Sequence, residues 1–136
     1  MSQTEAYLFF DGTCAEAMRF YERVLGGTVR MVPANETPVE KPADQDDRIM
    51  HAHLQAGELT FMASDWMAPT PYPGMHGFSV CLTAPATDEA HKLFDALADG
   101  GQVTMPFQKT FYSDGFGMLT DRFGTPWMVN TEGANG

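Results

Sequence analysis

The chain has 136 residues and a mass of 15.0 kDa, with 43% hydrophobic and 12% aromatic residues, enough to bury most of the surface that one unfolded domain would expose. Eighteen acidic against eight basic residues give a net charge of −10, which opposes nucleic acid and anionic membrane surfaces; the same acidity suits a cationic ligand or serves solubility. Two cysteines without Cys-x-x-Cys spacing, no basic and apolar leader and no 18-residue apolar run predict free thiols in a cytoplasmic protein that does not engage a membrane.

The aromatic run Glu5 to Phe10 predicts a first strand, closed by the turn pair Asp11-Gly12. Thr13 and Glu16 have capping-box spacing for a helix whose apolar face is Ala17, Phe20, Tyr21, Val24 and Leu25, stopped by Gly26-Gly27. Thr28 to Val32 reads as a strand, and the polar, proline-bearing stretch Pro33 to Asp47 as an irregular loop. Ile49 to Ala56 and Glu58 to Ser64 predict a hairpin around Gly57, with Met50, Ala52 and Leu54 on one face of its first strand and His51, His53 and Gln55 on the other. Pro69, Pro71, Pro73 and Gly74 mark a stiff connector. Beyond it the order repeats. Phe78 to Thr83 is a strand and Asp88 to Ala98 a helix stopped by Gly100-Gly101; strands follow near Gln102 to Phe107, Gly115 to Asp121 and Thr125 to Thr131.

The repetition extends to individual residues: Glu16 to Glu22 matches Glu89 to Asp95 in charge and hydrophobicity, Gly26-Gly27 pairs with Gly100-Gly101, and Gly57 pairs with Gly124. A duplicated module therefore predicts an α+β fold of two βαβββ modules in one domain over 1–136: module one over about 5–66, a connector over 67–75 and module two over about 76–131.

Several local motifs lie on this frame: Tyr7-Leu8-Phe9-Phe10-Asp11-Gly12, Ala15-Glu16-Ala17 with Phe20-Tyr21, Thr104-Met105-Pro106 followed by Gln108, and Phe116-Gly117 with Thr120-Asp121-Arg122-Phe123-Gly124-Thr125-Pro126-Trp127. In these the chain resembles, over nearly its whole length, the PhnB-like group of the vicinal oxygen chelate superfamily, whose members carry glyoxalase-like, bleomycin resistance-like or 3-demethylubiquinone-9 3-methyltransferase-like labels. The resemblance implies curled mixed sheets around a cleft, outer helices and a homodimer. It also implies that catalytic relatives hold a metal with His and Glu from the cleft faces of the first and last strand of each module. Motif matching puts those positions at Ala6, Ser79 (or Gly77), Phe61 and Met128, none a His or a carboxylate, with Glu5 and His76 as the nearby groups able to ligate. No Gly-x-Gly loop follows a strand and opens a helix, so the methyltransferase label finds no support in the residues.

Other side chains offer chemistry. His51 and His53 share a strand face at a spacing that can serve one metal or one pocket. Gln108, Lys109, Phe111, Tyr112 and Asp114 mix aromatic surface with hydrogen-bonding groups; Trp66 and Trp127 read as packing residues, and ten methionines fit an adaptable apolar cleft. Cys14 opens a helix, where the dipole can activate a thiol, but with no neighbouring His it reads as structural. The expectation is a small-molecule binding protein that holds an apolar or cationic ligand between its modules without the usual metal, using His51, His53, Phe61, Gln108, Tyr112 and Met128 and no cofactor. The alternatives are a divalent-metal lyase, isomerase or dioxygenase using His51, His53 or His76, and an accessory subunit that captures partners through the acidic stretch Pro38 to Asp47.

Overall fold

The computed structural model describes residues 2–34 and 47–132, so most of the stretch expected to loop, Pro33 to Asp47, and almost all of the acidic segment 38–47 lie outside the described residues, while Pro33 itself closes a strand. The chain divides into two compact units, Met1–Gly74 and Met75–Gly136. The first contains β1 (Ala6–Phe10), α1 (Cys14–Leu25), β2 (Thr28–Pro33), β3 (Ile49–Ala56) and β4 (Leu59–Asp65); the second contains β5 (Val80–Ala84), α2 (Thr87–Ala98), β6 (Gln102–Gln108), β7 (Phe116–Thr120) and β8 (Pro126–Thr131). Among the described residues each unit is one four-stranded mixed sheet with one α-helix. The orders are β1-β4-β3-β2 and β5-β8-β7-β6, and in each the first two neighbours are parallel and the rest antiparallel. This is the α+β, twofold βαβββ plan that the repeat predicts. β5 starts two residues later than expected, because its ladder with β8 begins at Val80 opposite Trp127.

The alternation of each strand separates a face under the helix from an open face. In the first unit Leu8, Phe10, Val29, Ala52, Leu54, Phe61 and Ala63 are buried, with Tyr21 of α1 meeting the rings of Phe10 and Phe61. In the second unit Leu82, Ala84, Leu119, Trp127 and Val129 are buried with Ala90, Phe94 and Leu97 of α2. Gly117 stands on the helix side of β7: a Cβ there would lie 2.6 Å from the Phe94 ring and 2.9 Å from Phe107 Cα. Gly27 and Gly101 serve a matching purpose, since a Cβ at either would collide with the carbonyl oxygen of Gln55 or of Thr120 on the neighbouring strand.

The expected capping box at Thr13 and Glu16 does not form: Thr13 makes no side-chain cap bond. Asp65, at the end of the adjacent parallel strand β4, does the work instead. Its Oδ1 accepts from Gly12 N (2.8 Å) and Cys14 N (3.0 Å), and its Oδ2 from Ile49 N (2.8 Å). A carboxylate near the positive end of a helix is a stronger acceptor than a threonine hydroxyl, which explains the replacement. The position corresponding to Asp65 in the second unit is Thr131, because Phe10 pairs with Asp65 as Ala84 pairs with Thr131. Its hydroxyl is buried without a hydrogen-bond partner among the described residues. A second carboxylate, Asp121, organises the β7–β8 turn: Oδ1 accepts from Phe123 N and Thr125 N, and Oδ2 from Trp127 Nε1. Thus the Asp121-to-Trp127 motif is a turn held around one buried carboxylate.

Candidate functional site

On the open face of the first unit, one row runs straight across the sheet. Tyr7 pairs with Met62, Met62 with His53, and His53 with Arg30. Flanking it are Phe9, Ser64, His51 and Val32 on one side and Thr60, Gln55 and Thr28 on the other. Glu5, just before β1, reaches His53, with Oε1 3.3 Å from Nε2, and the Tyr7 hydroxyl lies 3.1 Å from His51 Nδ1. Hydrogen bonds from Thr60 and then His53 hold the Glu5 carboxyl below the usual glutamate range. A concavity of about 370 Å³ opens on this face, lined by Thr28, Arg30, His53 and Gln55. The Arg30 guanidinium makes no ion pair or hydrogen bond among the described residues. Tyr7 and Phe9, 38% and 41% exposed, stand at the other end of the sheet with ring centroids 5.1 Å apart.

The open face of the second unit has the same geometry and different chemistry. Cys81 pairs with Met128, Met128 with Met118, and Met118 with Met105. The next row brings Asn130, Phe116 and Gln108 together, and the Tyr112 ring rests on Phe116 at 5.6 Å. Ser113 fixes the base of that loop: its hydroxyl lies 2.8 Å from Gly115 O and 2.7 Å from Asn130 Oδ1, two alternative acceptors for its single proton.

The expected site residues therefore divide between the two units. His51 and His53 share the open face of the first; Gln108 and Tyr112 share one corner of the second, with Met128 one row away. Phe61 is a correction. It is 4% exposed, lies on the helix side and meets Tyr21, so it belongs to the core. The same one-residue slip affects Ala6, which has the parity of Leu8 and Phe10 rather than of Tyr7. The open-face pairs on first and last strands are Tyr7 with Met62 and Cys81 with Met128. Ser79 precedes β5, and His76 is exposed ahead of it in the second unit.

A His-and-Glu metal centre fits these positions poorly, since they offer a phenol, two thioethers and a thiol. Among the described residues no three His, Cys, Asp or Glu side chains gather to hold a metal ion. Cys14 is buried, and desolvation together with the charge of Asp65 pushes its thiol up to about 12, the opposite of an activated nucleophile. Trp66 donates to Thr70 O and meets Phe9 edge-on, while Trp127 is buried; both are packing residues as expected. Sequence reasoning missed Arg30, Gln55 and Thr28 as lining groups. The alternation Thr28-Val29-Arg30, with Val29 in the core, was the available signal.

Comparison with known proteins places these observations. The profile of the Glyoxalase/Bleomycin resistance protein/Dioxygenase superfamily matches residues 4–129. Protein YjdN of Escherichia coli (strain K12) is 34% identical over 135 residues, covering 91% of each chain. The crystal structure of protein PA1353 from Pseudomonas aeruginosa is similar at 47% identity and a TM-score of 0.91, covering 98% of this chain and 99% of that one. The Bacillus cereus PhnB protein, which carries the name "Putative 3-demethylubiquinone-9 3-methyltransferase", shares the fold at 22% identity and a TM-score of 0.74, covering 96% of this chain and 99% of that one. No helix among the described residues is long and apolar enough to cross a membrane.

Proposed function

Because the chain belongs to the glyoxalase/bleomycin resistance protein/dioxygenase superfamily, we propose that it binds a small organic acid on the open face of its first unit, without the superfamily's usual metal. The observation that carries this reading is the concavity lined by Thr28, Arg30, His53 and Gln55, in which a guanidinium without a partner among the described residues faces open volume. A planar guanidinium suits a carboxylate, which it can bind bidentately. Gln55 and Thr28 supply further hydrogen bonds beside the guanidinium. Local charge at Arg30 outweighs the distributed net charge of −10, so the ligand is anionic where overall composition suggests a cation. The homodimer that the resemblance implies is part of this reading, and sedimentation velocity reads it.

Calorimetric titration with benzoate, succinate and choline in chelator-containing buffer tests the proposal. Carboxylates should give saturable heat and choline none, and Arg30→Ala should weaken binding at least about tenfold, since a charge-assisted contact contributes about 1.5–3 kcal/mol. Absence of carboxylate binding, or equal affinity in Arg30→Ala, overturns it.

A divalent-metal lyase, isomerase or dioxygenase is the second reading, favoured by His51 and His53 on one open face. Stoichiometric metal in protein purified without chelator, lost in the His51→Ala/His53→Ala double variant, would establish it.

A further inference from the structure

We infer that the open face of the second unit holds a soft monovalent cation of the Cu(I) class, coordinated by the adjacent sulfurs of Cys81, Met128 and Met118, with Met105 as the outer member of the same row. Four sulfur-bearing residues occupy four adjacent strands at one level of the sheet: Cys81 opposite Met128, Met128 opposite Met118, and Met118 opposite Met105. Neighbouring strands lie about 4.8 Å apart, so directly paired side chains on one face can touch. Methionine adds three flexible bonds, which lets neighbouring thioethers turn toward a common point.

The last member of the row depends on an irregularity. β6 shifts register between Val103 and Met105 and again between Met105 and Gln108, and the first shift places Met105 opposite Met118 on the open side. Val103 pairs with Leu119 and Phe107 covers Gly117, both on the helix side. Without the bulge the alternation would put Met105 with Val103, under the helix. Pro106 suits this site, since an edge strand with a bulge can spare its missing donor.

None of these sulfur groups is sealed in the unit's core. Cys81 is exposed, Met105 is 39% exposed, and Met118 and Met128 are half-buried. Thioether and thiolate ligands select Cu(I) over hard divalent ions. Binding transfers no electrons: the Cys81 thiol releases its proton to solvent as the S–Cu bond forms, and each thioether donates a lone pair. The row is independent of the organic-acid site, because it uses no residue of the first unit.

Anaerobic titration with Cu(I), competed against bicinchoninate, tests the inference on the intact chain, with X-ray absorption reading the first shell. The expected result is one Cu(I) per chain in a sulfur-only shell. Outer-shell partners alone are worth about 10–100-fold in metal affinity, so losing a direct ligand in Cys81→Ser or Met118→Leu should weaken binding at least about tenfold. Volume-conserving Met→Leu changes at half-exposed sites leave the fold intact, which circular dichroism verifies. A nitrogen-containing shell, failure to compete with bicinchoninate, or unchanged affinity in the Met105→Leu/Met118→Leu/Met128→Leu variant would overturn it.

Discussion

The two units repeat one backbone and differ at the positions where that backbone leaves side chains unconstrained. Under the helices the correspondence is close: Ala17 and Ala90, Tyr21 and Phe94, and the paired close approaches at Gly27 and Gly101 serve matching structural needs. On the open faces it dissolves: the row Tyr7-Met62-His53-Arg30 of the first unit corresponds in register to Cys81-Met128-Met118-Met105 of the second, with wholly different chemistry. The buried end of the last strand also differs, with Asp65 satisfying three backbone donors where Thr131 satisfies none with its hydroxyl. Packing against a helix limits substitution, whereas an open sheet face accepts any side chain that water or a ligand can satisfy. The difference between the faces therefore points to separate roles.

The largest expected effect lies at the Asp65 and Thr131 pair. Asp65→Ala strands two amide donors at the start of α1 and one at the start of β3 and should cost about 3 kcal/mol or more in urea unfolding, while Thr131→Val removes an unsatisfied hydroxyl and should be neutral or stabilising. Equal losses at both would break the contrast. Gly101→Ala and Gly27→Ala should each cost about 1–3 kcal/mol, because the new methyl meets backbone that cannot yield cheaply. Similar values at the two sites would sharpen the case for one shared architecture.

A smaller effect appears with pH. The folded Cys14 thiol is raised from 9.0 to about 12, so its stabilising contribution is complete below pH 9 and is lost as pH rises towards 12, with a slope of up to about 1.4 kcal/mol per pH unit. Urea midpoints at pH 8 and 10 should diverge less in Cys14→Ala than in the parent protein. On the acid side Glu5 and Glu22 both titrate below the usual range, and the stability they add is present above pH 4.5 and lost as pH falls through their lowered values. Glu5→Gln should shift acid unfolding slightly. It should also weaken carboxylate binding only through its contact with His53.

Much of the fold was legible in the sequence, because helical spacing around Phe20-Tyr21 and Leu93-Phe94, together with the double-glycine stops, repeats in order. The site was less legible. Motif counting placed Phe61 and Ala6 one residue from the open face, and in a strand one residue exchanges core for surface. The sulfur row was hidden for a related reason: Met105 reaches it through a register shift that simple alternation does not reveal. Asp65 as the helix cap depends on a partner 51 residues from Cys14, beyond any local capping rule.

The most direct test of the organic-acid reading is a benzoate titration in chelator, followed by NMR of the histidine rings, the arginine Nε groups and the methionine methyls. The account predicts saturable shifts at His53 and Arg30, with the methyls of Met105, Met118 and Met128 unmoved. Shifts confined to the methionines, or none at His53 and Arg30, would contradict it.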